Sequence, residues 1–214
     1  MTTEIELKYL IPANHEDNDA VVDKITAMLT KQNTTFTLDK KQLNNNYFDN
    51  KELALRKMDI GLRIRGVDQK YEQTVKTAGK VIGCLHQRPE YNVALKDNHL
   101  DLLLFPEDIW PVNVDVVKLQ KSLQVIFNTD FFRHTWLITQ TNSVIELALD
   151  RGEICSAPNI ETLAINELEI ELVSGNEQAL FVLAEQLMAV VQMQPGKLSK
   201  AARGYALYHQ RDKS

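Results

Sequence analysis

Glu4-Ile5-Glu6-Leu7-Lys8, close to the start of the chain, alternates charged and aliphatic residues one by one. Successive side chains of a β-strand point to opposite faces, so this alternation predicts a strand over residues 4–10 whose charges share one face. The stretch Glu167-Leu168-Glu169-Ile170-Glu171 shows the same alternation much later in the chain. Both stretches therefore predict strands with one aliphatic face and one strongly charged face.

Several other predicted strands also carry charge on one face. These faces hold Arg63 with Arg65, Glu146 with Asp150, Arg88 with Glu90, and Lys76 with Glu72. Solvent contact is the ordinary explanation for one such face. However, like charges two residues apart stand about 7 Å from each other and repel by roughly 0.6 kcal/mol in water and about 2 kcal/mol at a protein surface. Runs of one sign on several strands instead favour an enclosed lumen, in which a polyanion and metal ions balance the charge.

The remaining pattern predicts an α+β protein. Alternation and turn residues predict further strands near residues 35–48, 60–67, 70–79, 85–95, 123–128, 131–141, 143–151 and 163–173. Apolar residues at helical spacing predict helices over about 15–31 and 176–193, and a last helix that begins with Ser199 as its N-cap. Short connections between many strands predict an antiparallel sheet closed, or nearly closed, into a barrel. No repeat or linker divides the chain, so we expect a single domain over residues 1–214.

Composition argues against several classes of protein. The chain has 214 residues, with 24 Lys and Arg against 29 Asp and Glu, and this net charge of −5 argues against nucleic-acid binding through bulk charge. No apolar run approaches the roughly 18 residues of a membrane helix, and the first residues lack the pattern of a signal peptide, so we expect no membrane association. Cys84 and Cys155 are the only cysteines and form no C-x-x-C pair, which favours a reducing cytoplasm.

The cations on the charged faces indicate the chemistry of the ligand. A triphosphate carries on the order of four negative charges and is bound by Arg forks and Lys point charges. The sequence has neither a P-loop nor a G-x-G-x-x-G motif after a strand, so we expect side chains rather than a helix N-terminus to hold the phosphates. The candidate phosphate-binding residues are Lys8, Arg63, Arg65, Lys76, Arg88, Arg133, Lys200 and Arg203.

The motifs, taken in order, resemble those of a known family. The E-x-E-x-K pattern of residues 4–8 is the signature of the CYTH superfamily, also called the triphosphate tunnel metalloenzymes. The other matching motifs follow in the family's order: Tyr47-Phe48-Asp49, Leu62-Arg63-Ile64-Arg65, Thr74-Val75-Lys76, Glu146 to Asp150, Glu167 to Glu171 and Ser199-Lys200. The stretches from His86 to Val93 and from Leu198 to Tyr205 are most similar to the bacterial inorganic triphosphatase branch.

This resemblance implies an eight-stranded antiparallel β-barrel with flanking helices, a hydrophilic tunnel and Mg²⁺ or Mn²⁺ as cofactor. It assigns catalytic roles to Glu4, Glu6, Lys8, Glu169 and Glu171. The implied metal ligands are Glu4, Glu6, Asp150, Glu167, Glu169 and Glu171, and the eight cations named above bind phosphate oxygens. Arg88 is less firmly placed by the motifs, and Glu146 could instead be an ion-pair partner that holds an arginine. Relatives in this branch often carry a C-terminal helical polyphosphate-associated domain, so we expect either a stand-alone form or a chain that lacks that domain.

Hydrolysis of inorganic triphosphate to diphosphate and phosphate is the leading functional hypothesis. The same tunnel would also suit a class IV adenylate cyclase, which makes cyclic AMP and diphosphate from ATP, or a thiamine or nucleoside triphosphatase. A non-catalytic polyphosphate-binding module is the alternative from another class, although a pure anion binder gains nothing from a row of glutamates. A small-molecule triphosphate is the expected partner. The apolar face of residues 176–193 could serve packing or a homodimer, which periodicity does not separate.

Overall fold

A computed structural model describes residues 1–12, 18–140, 142–156 and 162–211. Within these ranges the strands are β1 Thr2–Leu10, β2 Thr35–Asp49, β3 Gly61–Val67, β4 Lys70–Lys76, β5 Lys80–Ile82, β6 Leu85–Leu95, β7 Gln124–Gln140, β8 Ser143–Ser156, β9 Thr162–Ser174 and β10 Gln194–Pro195. The helices are α1 Asn18–Lys31, α2 Ala54–Lys57, α3 Val116–Ser122, α4 Gln178–Met188 and α5 Lys200–Arg211. Two short 3₁₀ turns, Leu102–Leu104 and Glu107–Ile109, precede α3.

Eight antiparallel strands form a closed barrel. They follow one another in the order β1-β9-β8-β7-β2-β3-β4-β6, and β6 pairs with β1 to close the ring. The closing ladder runs from Thr2 opposite Glu90 to Leu7 opposite Leu85. β5 and β10 add short pairings to β6 and β1. The structure thus confirms the α+β fold with an eight-stranded antiparallel β-barrel and flanking helices.

Some element boundaries differ from the predicted ones. The sequence predicts two strands, 123–128 and 131–141, but β7 runs unbroken from Gln124 to Gln140. The polar residues around Thr129 resemble a turn, yet Thr129 is fully buried and its hydroxyl accepts a 3.0 Å hydrogen bond from Asn45 Nδ2 on β2. Residues 15–17 of the predicted first helix lie outside the described residues, and α1 begins at Asn18 within them.

The aliphatic faces of the strands form the outer surface of the barrel and are buried under helices. Leu7, Ile145 and Ile170 pack with Ile25 of α1 and Leu183 of α4, and each of the five is 0% exposed. The apolar face of α4 therefore serves packing within the chain. Because side chains alternate along each strand, covering the aliphatic faces on the outside turns the charged faces toward the barrel interior.

Two further clusters position the rest of the chain. α5 packs against one end of the barrel, where Tyr205 and Leu207 join Phe127, Phe131 and Ile165. The 3₁₀ turns and α3 cover the outer faces of β3 and β4, with core residues that include Leu62, Val75, Leu102, Trp110 and Leu119. None of the helices in the described ranges is both long enough and apolar enough to cross a membrane.

Candidate functional site: a charged tunnel

The barrel encloses a cavity of about 150 Å³ that is partly open to solvent. Its charged lining comes from β1, β3, β4, β6, β7, β8 and β9 and from the first residue of α5. The lining carboxylates are Glu4, Glu6, Glu90, Glu146, Glu169 and Glu171, and the lining cations are Lys8, Arg63, Arg65, Lys76, Arg88, Arg133 and Lys200. Six carboxylates and seven cations leave one net positive charge when all are ionised.

Lys8 and Lys200 form ion pairs with the carboxylates of β8 and β9. Lys200 Nζ lies 2.5 Å from Asp150 Oδ2 and 2.9 Å from Glu169 Oε1, and it also contacts Glu167. Lys8 forms an ion pair with Glu169 and lies 3.6 Å from a carboxylate oxygen of Glu6. Burial alone would lower the pKa of both lysines, but these carboxylates outweigh it and raise the pKa.

Arg133 completes this network from β7. Its Nε and Nη2 each donate a 2.7 Å hydrogen bond to Asp150, and Nη2 also donates to Glu169 at 2.6 Å. Glu146 Oε1 lies 3.5 Å from Arg133 Nη1, which fits the alternative role of Glu146 as an ion-pair partner. Burial alone would raise the pKa of Asp150 and Glu169, but the cations around them lower it below the ordinary range. This part of the site is therefore held fully ionised.

Three of the predicted site residues lie beside the tunnel without lining it. Asp150 and Glu167 are fully buried, and neither they nor Arg203 line the cavity. Arg203 contacts Glu167 and donates to the carbonyl of Ala164 at 3.2 Å. Carboxylate oxygens of Asp150, Glu167 and Glu169 come within 4.8 Å of one another, a spacing that could hold a metal ion. Their charge is, however, already matched by the basic side chains around them: Lys8, Arg133, Lys200 and Arg203.

Glu4 pairs with cations on β6, the strand beside it, and on β4, the strand after that. Lys76 Nζ lies 2.5 Å from one of its carboxylate oxygens, and Arg88 Nε lies 2.9 Å from the other. Lys76 also lies 2.9 Å from Glu90. Although burial opposes ionisation, these two cations lower the pKa of Glu4. Lys76 and Arg88 thus reach the tunnel as predicted, each already in contact with a carboxylate.

Among the described residues, Glu6 and Glu171 have no cation nitrogen closer than 3.6 Å, which is the distance from Lys8 Nζ to Glu6 Oε1. They stand opposite each other in the β1–β9 ladder, and Glu171 also stands opposite Glu146 on β8. Within the described parts of the chain, no Lys, Arg or His nitrogen lies within 4.0 Å of the Glu171 carboxylate. Burial and the Glu4 carboxylate raise the pKa of Glu171 to about 8, and burial likewise raises the pKa of Glu6. Carboxylate oxygens are the donors that a hard divalent cation prefers, and no cation of the described residues pairs with those of Glu171, so Glu6 and Glu171 fit such an ion.

Arg63 and Arg65 on β3 are cations that lack a close carboxylate among the residues that the structure describes. Arg65 Nε donates a 2.8 Å hydrogen bond to Asn45 Oδ1, while Arg63 Nε is buried without a hydrogen-bond partner. No described carboxylate oxygen lies within 4.0 Å of either guanidinium. Burial and the neighbouring Arg63 lower the pKa of Arg65. The tunnel therefore has one wall with uncompensated positive charge and another with uncompensated negative charge.

Tyr47 lines the tunnel although it was not predicted as a site residue. Burial alone would raise its pKa, but Arg63 and Lys200 outweigh this and lower it. Side-chain alternation along β2 would have found Tyr47, because it shares a face with Asn45. Ser199 also lines the tunnel, and its hydroxyl accepts a 3.1 Å hydrogen bond from the Ala202 amide, which confirms its predicted role as a helix cap.

Comparison with known proteins places this tunnel in a family. The sequence profile of the CYTH domain matches residues 2–205. An inorganic triphosphatase of Haemophilus influenzae is 37% identical over 211 residues, which cover 97% of this chain but 55% of that protein. The chain thus spans about half the length of this curated relative.

Solved structures share the fold. A Hippeastrum protein described as a putative adenylyl cyclase with a dominant triphosphatase activity superposes with a TM-score of 0.64 at 17% identity, covering 97% of this chain and 96% of that one. The triphosphatase of the Mimivirus capping enzyme gives a TM-score of 0.50 at 12% identity, covering 89% and 90%. The profile match over nearly the whole chain, the Haemophilus relative and the tunnel agree: this chain belongs to the CYTH domain family.

Proposed function

We propose that this protein hydrolyses inorganic triphosphate to diphosphate and phosphate with the help of Mg²⁺ or Mn²⁺. The observation that carries the proposal is the pair Arg63 and Arg65, which face the tunnel without a carboxylate partner among the described residues. Guanidinium forks match phosphate oxygens in geometry and charge. An enclosed cation without a counter-ion is costly, so a bound phosphate chain would stabilise this wall.

The charge balance of the tunnel supports a requirement for divalent cations. The lining carries one net positive charge, whereas a triphosphate brings on the order of four negative charges. We assign the cation site to Glu4, Glu6 and Glu171, whose oxygens suit Mg²⁺ or Mn²⁺. A divalent cation held there would supply positive charge to offset the negative charge that develops on the phosphates during hydrolysis.

The chain's own residues supply binding and orientation. Arg63 and Arg65 hold phosphate oxygens from β3, while Lys76 and Arg88 approach from β4 and β6, the next two strands of the barrel. Because these cations are held in place before substrate arrives, they stabilise the transition state without reorganising. Glu6 is buried and its pKa is raised, so its carboxylate is suited to accept a hydrogen bond from the attacking water and orient it.

The lining favours an inorganic substrate over a nucleotide. Tyr47 is the one aromatic side chain among the described lining residues, and its ring is stacked on Phe127 with centroids 4.5 Å apart. One face of this ring is thus covered and Tyr47 is only 6% exposed, so the described lining offers little aromatic surface to stack against a nucleobase or a thiamine ring. The name of the Haemophilus relative, an inorganic triphosphatase, supports the same substrate.

A substrate comparison tests this proposal. Tripolyphosphate, ATP and thiamine triphosphate are each offered with Mg²⁺ or Mn²⁺, and free phosphate and cyclic AMP are measured. We expect phosphate release to be fastest from tripolyphosphate, and the Arg63→Gln variant to lower kcat/KM by roughly 100-fold or more. Arg151→Gln is the matched control, because Arg151 Nε donates to Asn166 and the residue does not line the tunnel. Cyclic AMP formation with inert tripolyphosphate, or full activity of Arg63→Gln, would contradict the proposal.

A further inference from the structure

The position of α5 determines where one tunnel cation lies. Lys200 is the first residue of this helix, and its Nζ reaches Asp150 on β8 and Glu169 on β9. A shift of α5 along its axis by one residue would move this nitrogen by about 1.5 Å, enough to break both contacts. Whatever fixes α5 against the barrel therefore also fixes Lys200.

One buried carboxylate connects α5 to the rest of the fold. Asp49, at the end of β2, is 0% exposed, and its Oδ2 accepts a 2.9 Å hydrogen bond from the Tyr205 hydroxyl. The same carboxylate accepts hydrogen bonds from the backbone amides of Leu55 at 2.9 Å and Arg56 at 3.0 Å, at the start of α2. Asp49 is thus held rigidly by backbone groups and offers Tyr205 a fixed acceptor.

The ring of Tyr205 is enclosed as tightly as its hydroxyl. It packs edge-on against Phe127 with centroids 5.5 Å apart, and the Arg56 guanidinium lies 5.3 Å from its centroid. Phe127 in turn stacks on Tyr47, which lines the tunnel. Burial and the Asp49 carboxylate raise the pKa of Tyr205, so the hydroxyl stays a donor at all ordinary pH values.

We propose that Tyr205 is a positioning residue, whose hydrogen bond to Asp49 fixes α5 so that Lys200 reaches into the tunnel. Tyr205 does not line the tunnel and therefore acts through Lys200. This inference rests on the proposed function, and it adds Lys200, a predicted phosphate-binding residue that lines the tunnel, to the cations that bind the phosphate chain. Neither the strand pattern nor the phosphate-binding motifs assign any role to this pair.

A double-mutant cycle tests the coupling. Tyr205→Phe keeps the ring and removes only the hydroxyl, and we expect it to raise KM for tripolyphosphate by roughly threefold to tenfold, with a smaller change in kcat. In the Lys200→Met background the same change should leave KM unaltered, because the residue it acts through is gone. Tyr91→Phe is the matched control, since the Tyr91 hydroxyl donates to Met1 Sδ and the residue does not line the tunnel. An equal effect of Tyr205→Phe in both backgrounds, or an unchanged KM in the native background, would overturn the inference.

Hydrogen exchange separates this inference from the proposed function. In Tyr205→Phe the backbone amides of α5 should exchange roughly threefold to tenfold faster than in the native protein, while those of α4 keep their rates. Titration calorimetry with tripolyphosphate and Mg²⁺ on the native protein tests the substrate independently. If tripolyphosphate does not bind, the proposed function fails while the exchange result still tests the docking of α5. Unchanged exchange in α5 would overturn the positioning role whatever the substrate.

Discussion

Glu169 and Glu171 lie two residues apart on the same face of β9, yet their surroundings drive protonation in opposite directions. Lys8, Lys200 and Arg133 surround Glu169 and lower its pKa well below the ordinary value. Glu171 instead meets carboxylates of β1, and burial with the nearby Glu4 raises its pKa to about 8. Glu169 is thus held in ion pairs, whereas Glu171 can exchange a proton for a cation near neutral pH.

The raised pKa of Glu171 predicts how the stability of the metal-free protein depends on pH. The pKa is about 8 in the folded protein against an ordinary value of 4.5, so the folded state retains a proton that the unfolded chain releases. Glu171 therefore costs stability increasingly as pH rises from 4.5 to 8, and the full cost is present above pH 8. In thermal unfolding with a chelator, we expect Glu171→Gln to raise the Tm by several degrees at about pH 9 and to change it little at about pH 5.

The same substitution at Glu169 provides the control for this experiment. Glu169 is ionised and paired with cations, so Glu169→Gln should lower the Tm at both pH values. If Glu171→Gln raised the Tm equally at both pH values, the gain would come from packing or hydrogen bonding rather than from protonation. That outcome would contradict a raised pKa at this residue.

At the scale of elements, α5 fits the barrel end through a glycine that helix propensity disfavours. A Cβ atom built on Gly204 would lie 2.2 Å from Cε2 and 2.4 Å from Cδ2 of Phe127. The Phe127 ring cannot give way easily, because it is 0% exposed and stacked on Tyr47. Gly204 therefore allows α5 to lie closer to β7 than any other residue would.

We expect Gly204→Ala to lower the free energy of unfolding by roughly 1–3 kcal/mol, although alanine favours an isolated helix by about 1 kcal/mol. Urea unfolding with an unchanged m-value measures the difference. Ala206→Gly serves as the control, because Ala206 is exposed on the same helix. This variant should lose only the difference in helix propensity between alanine and glycine, about 1 kcal/mol. A stabilised Gly204→Ala variant would show that the close contact with Phe127 does not limit the position of α5.

The strands themselves could be predicted from the sequence because period-two alternation is a local property. The alternation of residues 4–8 and 167–171 therefore located β1 and β9 and the faces that line the tunnel. The continuity of β7 could not be predicted, since the bond between Asn45 and Thr129 joins residues distant in sequence. Helix α5 was expected, but its sequence does not indicate which part of the barrel it covers.

The residue types of the site could be predicted from the sequence, but the ion pairs between them could not. Most of the predicted carboxylates and cations do line one tunnel, whereas Asp150, Glu167 and Arg203 do not line it themselves. Asp150 and Glu167 are in contact with lining residues, and Arg203 is in contact with Glu167. Which cation meets which carboxylate depends on the order of strands in the closed barrel, and strand alternation carries no information about that order. The shortage of carboxylates near Arg63 and of cations near Glu171 therefore emerges only from the folded structure.

At the scale of the whole molecule, the tunnel's charge predicts coupled binding of metal and phosphate. Its lining has one net positive charge, so a phosphate chain alone would leave the cavity strongly negative, and divalent cations alone would leave it strongly positive. We expect tripolyphosphate to bind at least about 10-fold more weakly in a chelator than with Mg²⁺. Calorimetric titrations with and without Mg²⁺ measure this, and Mg²⁺ with tripolyphosphate should raise the Tm by more than the two separate increments combined.

Sulfate provides a control for this prediction, because it carries less charge and spans only one phosphate position. We expect its binding to depend far less on Mg²⁺ than that of tripolyphosphate. If tripolyphosphate bound with the same affinity in chelator and in Mg²⁺, the cations of the tunnel would be sufficient for the anion. The assignment of a cation site to Glu4, Glu6 and Glu171 would then be wrong.

The pairing of β1 with its two neighbouring strands affects how the protein folds while it is being synthesised. β1 bonds to β6 on one side and to β9 on the other, and β9 ends at Ser174. During translation β1 therefore leaves the ribosome long before β9 has been synthesised. Until then one edge of β1 is unpaired and can pair with strands of other nascent chains. Such distant pairings also slow folding, since a long loop must close before they form. The tunnel therefore cannot close before β9 has been synthesised, and one edge of β1 stays without its partner strand until then.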